Sequence, residues 1–133
     1  MDESSGIARG IRAAGQLGEA AACEFLEKKG HRIAARNWRS GHREVDIVSL
    51  DPDGHLRFVE VKTRLEPLAA EPFEQVDARK RGNIEGAARA WLASSDCPKP
   101  PSGEVFFDII TVVYGGDRFD IEYIPEAWIP MHL

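Results

Sequence analysis

Asp46, Glu60 and Lys62 are the residues of this chain whose types and spacing could do chemistry. They sit in "REVDIVSL" and "LRFVEVKTR", segments otherwise rich in Val, Ile, Phe and Leu. Both read as strands, over 43–50 and 56–64. Between them, Asp51-Pro52-Asp53-Gly54 is a turn. Pro52 presets φ for the second position of a type I turn, and Gly54 suits the left-handed residue closing a three-residue hairpin loop. Residues 51 and 55 then close the hairpin, and counting outward places Asp46 opposite Glu60 and Glu44 opposite Lys62. Opposed residues share a face. Glu44, Asp46, Glu60 and Lys62 form a polar quartet that Val48 and Phe58 continue toward the turn. Val45, Ile47, Val59 and Val61 line the other, apolar face.

Two carboxylates opposed on a half-buried sheet repel each other, so something must compensate them. One solution is a Glu44–Lys62 ion pair beside a solvated Asp46–Glu60 pair. The other is a divalent cation. Oxygen-only donors suit Mg²⁺ or Mn²⁺, with the Val61 backbone carbonyl and waters completing the shell. Lys62 would then face a coordinated water or a phosphate.

The elements that must position this hairpin follow from periodicity. Residues 1–12 are expected to be flexible, and 13–133 to form one domain. A helix over 13–29 places Leu17, Gly18, Ala21, Ala22, Phe25 and Leu26 on one arc, with Gly30 as its stop. Glu19 borders that arc and either reaches the sheet or is an ordinary amphipathic-edge Glu. "HRIAARNW" is a first strand, and Ser40-Gly41 a turn. A second helix starts near Pro72, carries Phe73, Val76, Ile84, Ala87, Ala88, Trp91 and Leu92, and ends near Ser94. Gly82 and Gly86 inside it imply close packing on a sheet. "EVFFDIITVVY" is a buried strand and "RFDIEYI" an edge strand. The order α-β-β-β-α-β-β describes an α/β fold, a mixed sheet flanked by helices.

The formal charge is −5, which disfavours a non-specific nucleic-acid coat protein. Its distribution is uneven. From Lys28 to Arg43 there are six Lys or Arg, with His31 and His42 and no acid, and Arg79-Lys80-Arg81 follows later. A locally basic face is compatible with phosphate binding, or is simply solvated. No apolar run approaches a membrane span and the N-terminus lacks a signal core, so a cytoplasmic protein is expected, with no membrane partner. Cys23 and Cys97 lack metal-ligand spacing and read as two separate thiols. No Gly-rich phosphate loop or Ser/His/Asp arrangement stands out.

With these residues in view, the chain resembles the PD-(D/E)xK nuclease superfamily: an acid in the first helix, Asp on one strand, Glu-x-Lys on the next. A nearer resemblance, over about Gly15 to Trp128, is to the uncharacterised bacterial YraN family, which is similar to archaeal Holliday-junction resolvases. It rests on Gly18-Glu19 with Ala22, Leu26 and Gly30, on Asn37-Trp38-Arg39, on Glu44-Val45-Asp46-Ile47, on Phe58-Val59-Glu60-Val61-Lys62-Thr63-Arg64, on Lys80 and on Phe107-Asp108. Arg43 and Phe106 depart from the family pattern, which has Gly and Arg there. The resemblance implies a restriction-endonuclease-like fold and Mg²⁺-dependent hydrolysis of phosphodiester bonds in DNA, in branched or single-stranded structures. It implies Asp46, Glu60 and Glu19 as metal ligands, Lys62 orienting the attacking water or stabilising charge, and Glu44 orienting Lys62. Arg39, Arg64, Arg79 and Lys80 are implied phosphate contacts, and Arg43 adds a cation that helps binding or crowds the site. Junction resolvases act as symmetric dimers, so a homodimer is implied. The alternative is a non-catalytic nucleic-acid-binding module that retains the fold.

Other residues read more plainly. Asp108 is expected to make structural hydrogen bonds, His42 to be a solvated turn residue, and Trp38, Trp91 and Trp128 to be core.

Overall fold

The computed structural model describes residues 3–65, 77–98, 103–115 and 117–131. The elements follow the expected order: α1 (Glu3–Lys28), β1 (Arg32–Ser40), β2 (Arg43–Leu50), β3 (Leu56–Leu65), α2 (Ala78–Ala93), β4 (Val105–Gly115) and β5 (Arg118–Trp128). The five strands form one sheet in the order β1-β2-β3-β4-β5, where β3 and β4 are parallel and the other neighbours antiparallel. Helix α2 lies in the crossover between the parallel pair, as a parallel connection requires. One face of the sheet packs Ile47, Val59, Ile110 and Val112 under Ala22, Cys23 and Leu26 of α1. The other packs Val45, Val48, Phe58 and Phe107 under Ile84, Ala87, Ala88 and Trp91 of α2. The result is an α/β sandwich. None of its described helices is long and apolar enough to cross a membrane.

Helix α1 begins at Glu3, well before the expected start at Ala13. Gly6, Gly10 and Gly15 weaken the local signal, each by about 1 kcal/mol relative to Ala. No proline interrupts the segment, however, and a packed helix propagates more easily than it nucleates. Its far end matches expectation. Gly30 adopts φ 92°, His31 N–H donates to Leu26 O at 3.0 Å, and Gly30 N–H donates to Glu27 O at 2.9 Å. That paired pattern is a Schellman stop. In mid-helix, Gly18 lies so close to Thr63 of β3 that a Cβ would collide with the Thr63 hydroxyl. This approach sets Glu19 beside the sheet.

Helix α2 starts later than expected. Asp77 is extended, with φ −73° and ψ 172°, and its carboxylate accepts from Lys80 N–H at 2.9 Å, an N-cap. The helix therefore starts at Ala78 and not near Pro72; Pro72, Phe73 and Val76 lie outside the described residues. Gly86 meets the expectation of close packing, because a Cβ there would lie 2.6 Å from Arg43 Cδ. Gly82 does not: it is exposed, and nothing lies within 4 Å of its Cβ direction.

The hairpin turn forms as its sequence requires. Asp51 N–H donates to His55 O at 3.0 Å, Gly54 N–H to Asp51 O at 3.0 Å, and Gly54 has φ 86°. Asp51 and Arg57 then tie this turn to the far side of the sheet. Arg57 Nε donates to Asp51 Oδ2 at 2.9 Å, and its Nη1 donates to Asp108 Oδ1 at 3.1 Å. The Asp108 carboxylate, 0% exposed, also accepts from Tyr123 Oη at 2.6 Å and Glu126 N–H at 2.9 Å. Its role is structural, as expected. Trp38 meets Trp91 edge-on at 5.5 Å and donates to Asp96 at 3.2 Å, and Trp91 and Trp128 are buried, so all three belong to the core. Cys23 and Cys97 are separate, buried thiols.

Removing one member of such a buried charge network strands the others. Asp108→Ala is expected to lower unfolding free energy by about 3–5 kcal/mol in urea titrations. A loss below about 1 kcal/mol would contradict the network's role.

Candidate functional site

The β2–β3 ladder has the predicted register, pairing Leu50 with Leu56, Ser49 with Arg57, Val48 with Phe58 and Ile47 with Val59. It stops there. Asp46 and Glu60 do not continue it as a ladder pair, and neither do Glu44 and Lys62. Asp46 instead turns its side chain into the opening strands, where Oδ2 accepts from Val61 N–H at 2.8 Å. A carboxylate has replaced a ladder carbonyl.

Asp46 falls opposite Asn37 of β1, where the backbone leaves strand geometry. Asn37 adopts φ 50°, and the β1–β2 pairing passes from Arg36–Ile47 to Trp38–Val45 across it. Asn tolerates this left-handed conformation better than most residues. Side-chain alternation breaks there. Ile47 faces α1, yet Val45 and Trp38 pack on the α2 side, so the expected placement of Val45 with Ile47 is overturned. Bulged or bent strands re-aim side chains in this way.

Asp46 and Glu60 still meet. Their carboxyl groups share a hydrogen bond, and Glu60 is 5% exposed. Burial, the Glu60 charge and, least of these, the Glu19 charge push the Asp46 carboxyl up to about 8, against the opposing effect of the Val61 N–H. The pair forms one wall of an open recess of about 200 Å³, which His42, Glu44, Lys80, Asn83 and Ile84 complete. Lys80 Nζ lies 2.6 Å from Glu60 Oε1. Glu44 stands opposite Arg39 on β1 and pairs with it at 3.3 Å.

The predicted residues thus distribute unevenly. Asp46, Glu60 and Glu44 gather in the recess, and Glu19 is near enough for its charge to act on Asp46. Lys80, expected only as a phosphate contact, is at the carboxylates. Lys62 follows Glu60 by two residues on β3, beside Thr111 of β4, and is not among the lining residues. Arg39 reaches the site through Glu44, whereas Arg43 lies over Gly86 of α2. Arg64 is half-buried farther along β3, and Arg79 is exposed in the first turn of α2. Val61 contributes its N–H to Asp46 while its side chain packs toward α1. His42 is exposed, as expected of a turn residue, yet it lines the recess. The sequence reading missed Asn83, Ile84 and the left-handed Asn37. Recognising Asp77 as a cap would have put Lys80 and Asn83 three residues apart on one helix face.

A second acidic group, Asp51, Asp53 and His55, has ligand atoms within 4.8 Å of one another. Two of its three groups are already engaged in the turn: Asp51 accepts from Asp53 N–H at 2.9 Å, His55 N–H at 3.0 Å and Arg57, and His55 Nδ1 accepts from Glu104 N–H at 2.7 Å. These contacts account for Asp51 and His55 as turn structure.

An acid whose folded pKa is raised binds its proton more tightly in the native than in the unfolded chain. Without divalent ions, the Asp46 contribution is greatest below about pH 4 and is lost as pH rises toward 8. Asp46→Asn removes that dependence while keeping an acceptor for Val61 N–H. The variant is expected to exceed wild type in unfolding free energy at pH 8 by about 1–3 kcal/mol, with the gap closing toward pH 5. Denaturation in EDTA at several pH values checks this, and a gap that does not change with pH contradicts it.

Comparison with known proteins places these features in a family. Residues 18–121 match the profile of "Uncharacterised protein family UPF0102". A UPF0102 protein of Bacteroides thetaiotaomicron is 43% identical over 116 residues, covering 87% of this chain and 92% of that protein. One from Trichlorobacter lovleyi is 40% identical over 123 residues, covering 92% and 94%. One from Oleidesulfovibrio alaskensis is 45% identical over 100 residues; the match covers 75% of this chain but only about half, 48%, of that longer relative. The matched span runs from the Gly18 contact through the recess to β5, and the chain belongs to the uncharacterised protein family UPF0102, the YraN family.

Proposed function

We propose that the protein is a divalent-metal-dependent nuclease that hydrolyses phosphodiester bonds in DNA, with branched or single-stranded structures as its substrate class. The observation that carries this reading is the carboxyl pair of Asp46 and Glu60 at an open recess, beside the cations Lys80 and Arg39. The donor set fits Mg²⁺ or Mn²⁺. It offers oxygen atoms only, and burial together with the Glu60 charge pushes the Asp46 carboxyl up to about 8, which a bound cation would relieve. Asp46 and Glu60 would hold the ion, with Glu19 and the Val61 carbonyl as further donors.

When bound, the metal would polarise a phosphodiester oxygen and lower the pKa of a coordinated water. The chain's own residues supply the rest. Lys62 orients the attacking water or stabilises charge on the phosphoryl oxygens. Glu44 keeps the Arg39 guanidinium beside the recess. Arg39, Arg43, Arg64, Arg79 and Lys80 make phosphate contacts, which position a nucleic acid without reading its sequence. A homodimer would bring two recesses to two strands.

The test is cleavage of branched, single-stranded and duplex DNA with Mg²⁺, Mn²⁺ or EDTA. Divalent-dependent cleavage is expected, falling at least about 100-fold in Asp46→Ala, Glu60→Ala and Lys62→Ala, each still folded by circular dichroism. Equal cleavage by these variants would overturn the site. Salt-sensitive, metal-independent DNA binding without turnover would replace the reading with a binding module.

A further inference from the structure

Helix α2 opens with Arg79, Lys80 and Arg81, and has no acid in its first turn. Cations there oppose the helix dipole, whose positive end already lies at the N-terminus. A local rule broken this way points to a use elsewhere. The contact of Lys80 supplies it: the Nζ lies 2.6 Å from Glu60 Oε1, inside the recess that Asp46 also lines.

The two partners differ in freedom. The Glu60 side chain is 6% exposed and fixed on a central strand, whereas the Lys80 side chain is 52% exposed and reaches in from the solvent side. A lysine ammonium is a compact point charge on a flexible stem. If the pair separates, the lysine is the member that can leave. Asn83, three residues on, and Ile84 line the same open recess.

We infer that Lys80 is a displaceable counter-ion, neutralising Glu60 in the metal-free protein and yielding that carboxylate when a divalent cation enters. The inference rests on the metal-site reading above and deepens it. Lys80 is a positioning residue in this role. It keeps a buried carboxylate pair tolerable before the ion arrives, at the expense of metal affinity. Once displaced, its ammonium lies at the mouth of the recess, where a phosphate of the substrate would approach.

Mn²⁺ titrated into the full-length wild type, Lys80→Met, Lys80→Arg and Asp46→Asn, by calorimetry and by thermal unfolding, tests this. Lys80→Met is expected to melt below wild type in EDTA, yet to bind Mn²⁺ at least about 5-fold more tightly, a typical size for coupling between two ligands. Lys80→Arg is expected to keep the weaker wild-type affinity, because it keeps the competing charge. Equal or weaker Mn²⁺ binding by folded Lys80→Met, with Asp46→Asn deficient, overturns the counter-ion role and leaves the metal site standing. Absence of Mn²⁺ binding by both wild type and Lys80→Met overturns the metal site itself, and the counter-ion role with it.

Discussion

The hydrogen bond from Val61 N–H to Asp46 Oδ2 is the contact on which the site depends. It ends the β2–β3 ladder after Ile47–Val59 and holds a carboxylate where a ladder carbonyl would otherwise sit. Glu60 is adjacent on β3, so the opening of the strands brings two acids together. Neither strand compensates the pair by itself. Lys80 comes from α2, and the Glu19 charge acts from α1. Each layer of the sandwich therefore contributes a charge to one opening in the sheet.

The surrounding scaffold fixes that opening from several directions. The Gly18–Thr63 approach seats α1 on β3 just after the site, and the Schellman turn at Gly30 ends the helix on time. Arg57 joins the hairpin turn at Asp51 to Asp108 on β4, and Asp108 joins β4 to β5 through Tyr123 and Glu126. This buried network ties the turn end of the hairpin to β4 and β5, while the β2–β3 ladder stops toward the other end. The Asp46–Glu60 pair lies where the ladder is open. Order is secured where it is closed.

Much of the fold was legible because its signals are local. Pro52 and Gly54 set the hairpin register, Gly30 marked the end of α1, and β-branched runs marked the central strands. The early start of α1 was hidden by glycines that cost propensity without breaking a helix. The carboxylate pair was legible in composition and register, but its geometry was not. The left-handed Asn37 lies on β1 opposite Asp46, and alternation along β2 alone carries no trace of it. The expected Glu44–Lys62 opposition looked only across β2 and β3, whereas β1 supplied Arg39 as the cross-strand partner. Lys80 was read only as a phosphate contact because its position depends on Asp77 beginning α2. Long-range contacts, not weak propensities, account for these differences.

The central claim is that Asp46 and Glu60 form a divalent-cation site. Anomalous diffraction from crystals of the full chain grown with Mn²⁺ tests it most directly. The account predicts a manganese peak bonded to oxygens of both Asp46 and Glu60. A peak confined to the Asp51, Asp53 and His55 turn, or no peak at the carboxylate pair at saturating Mn²⁺, would contradict it.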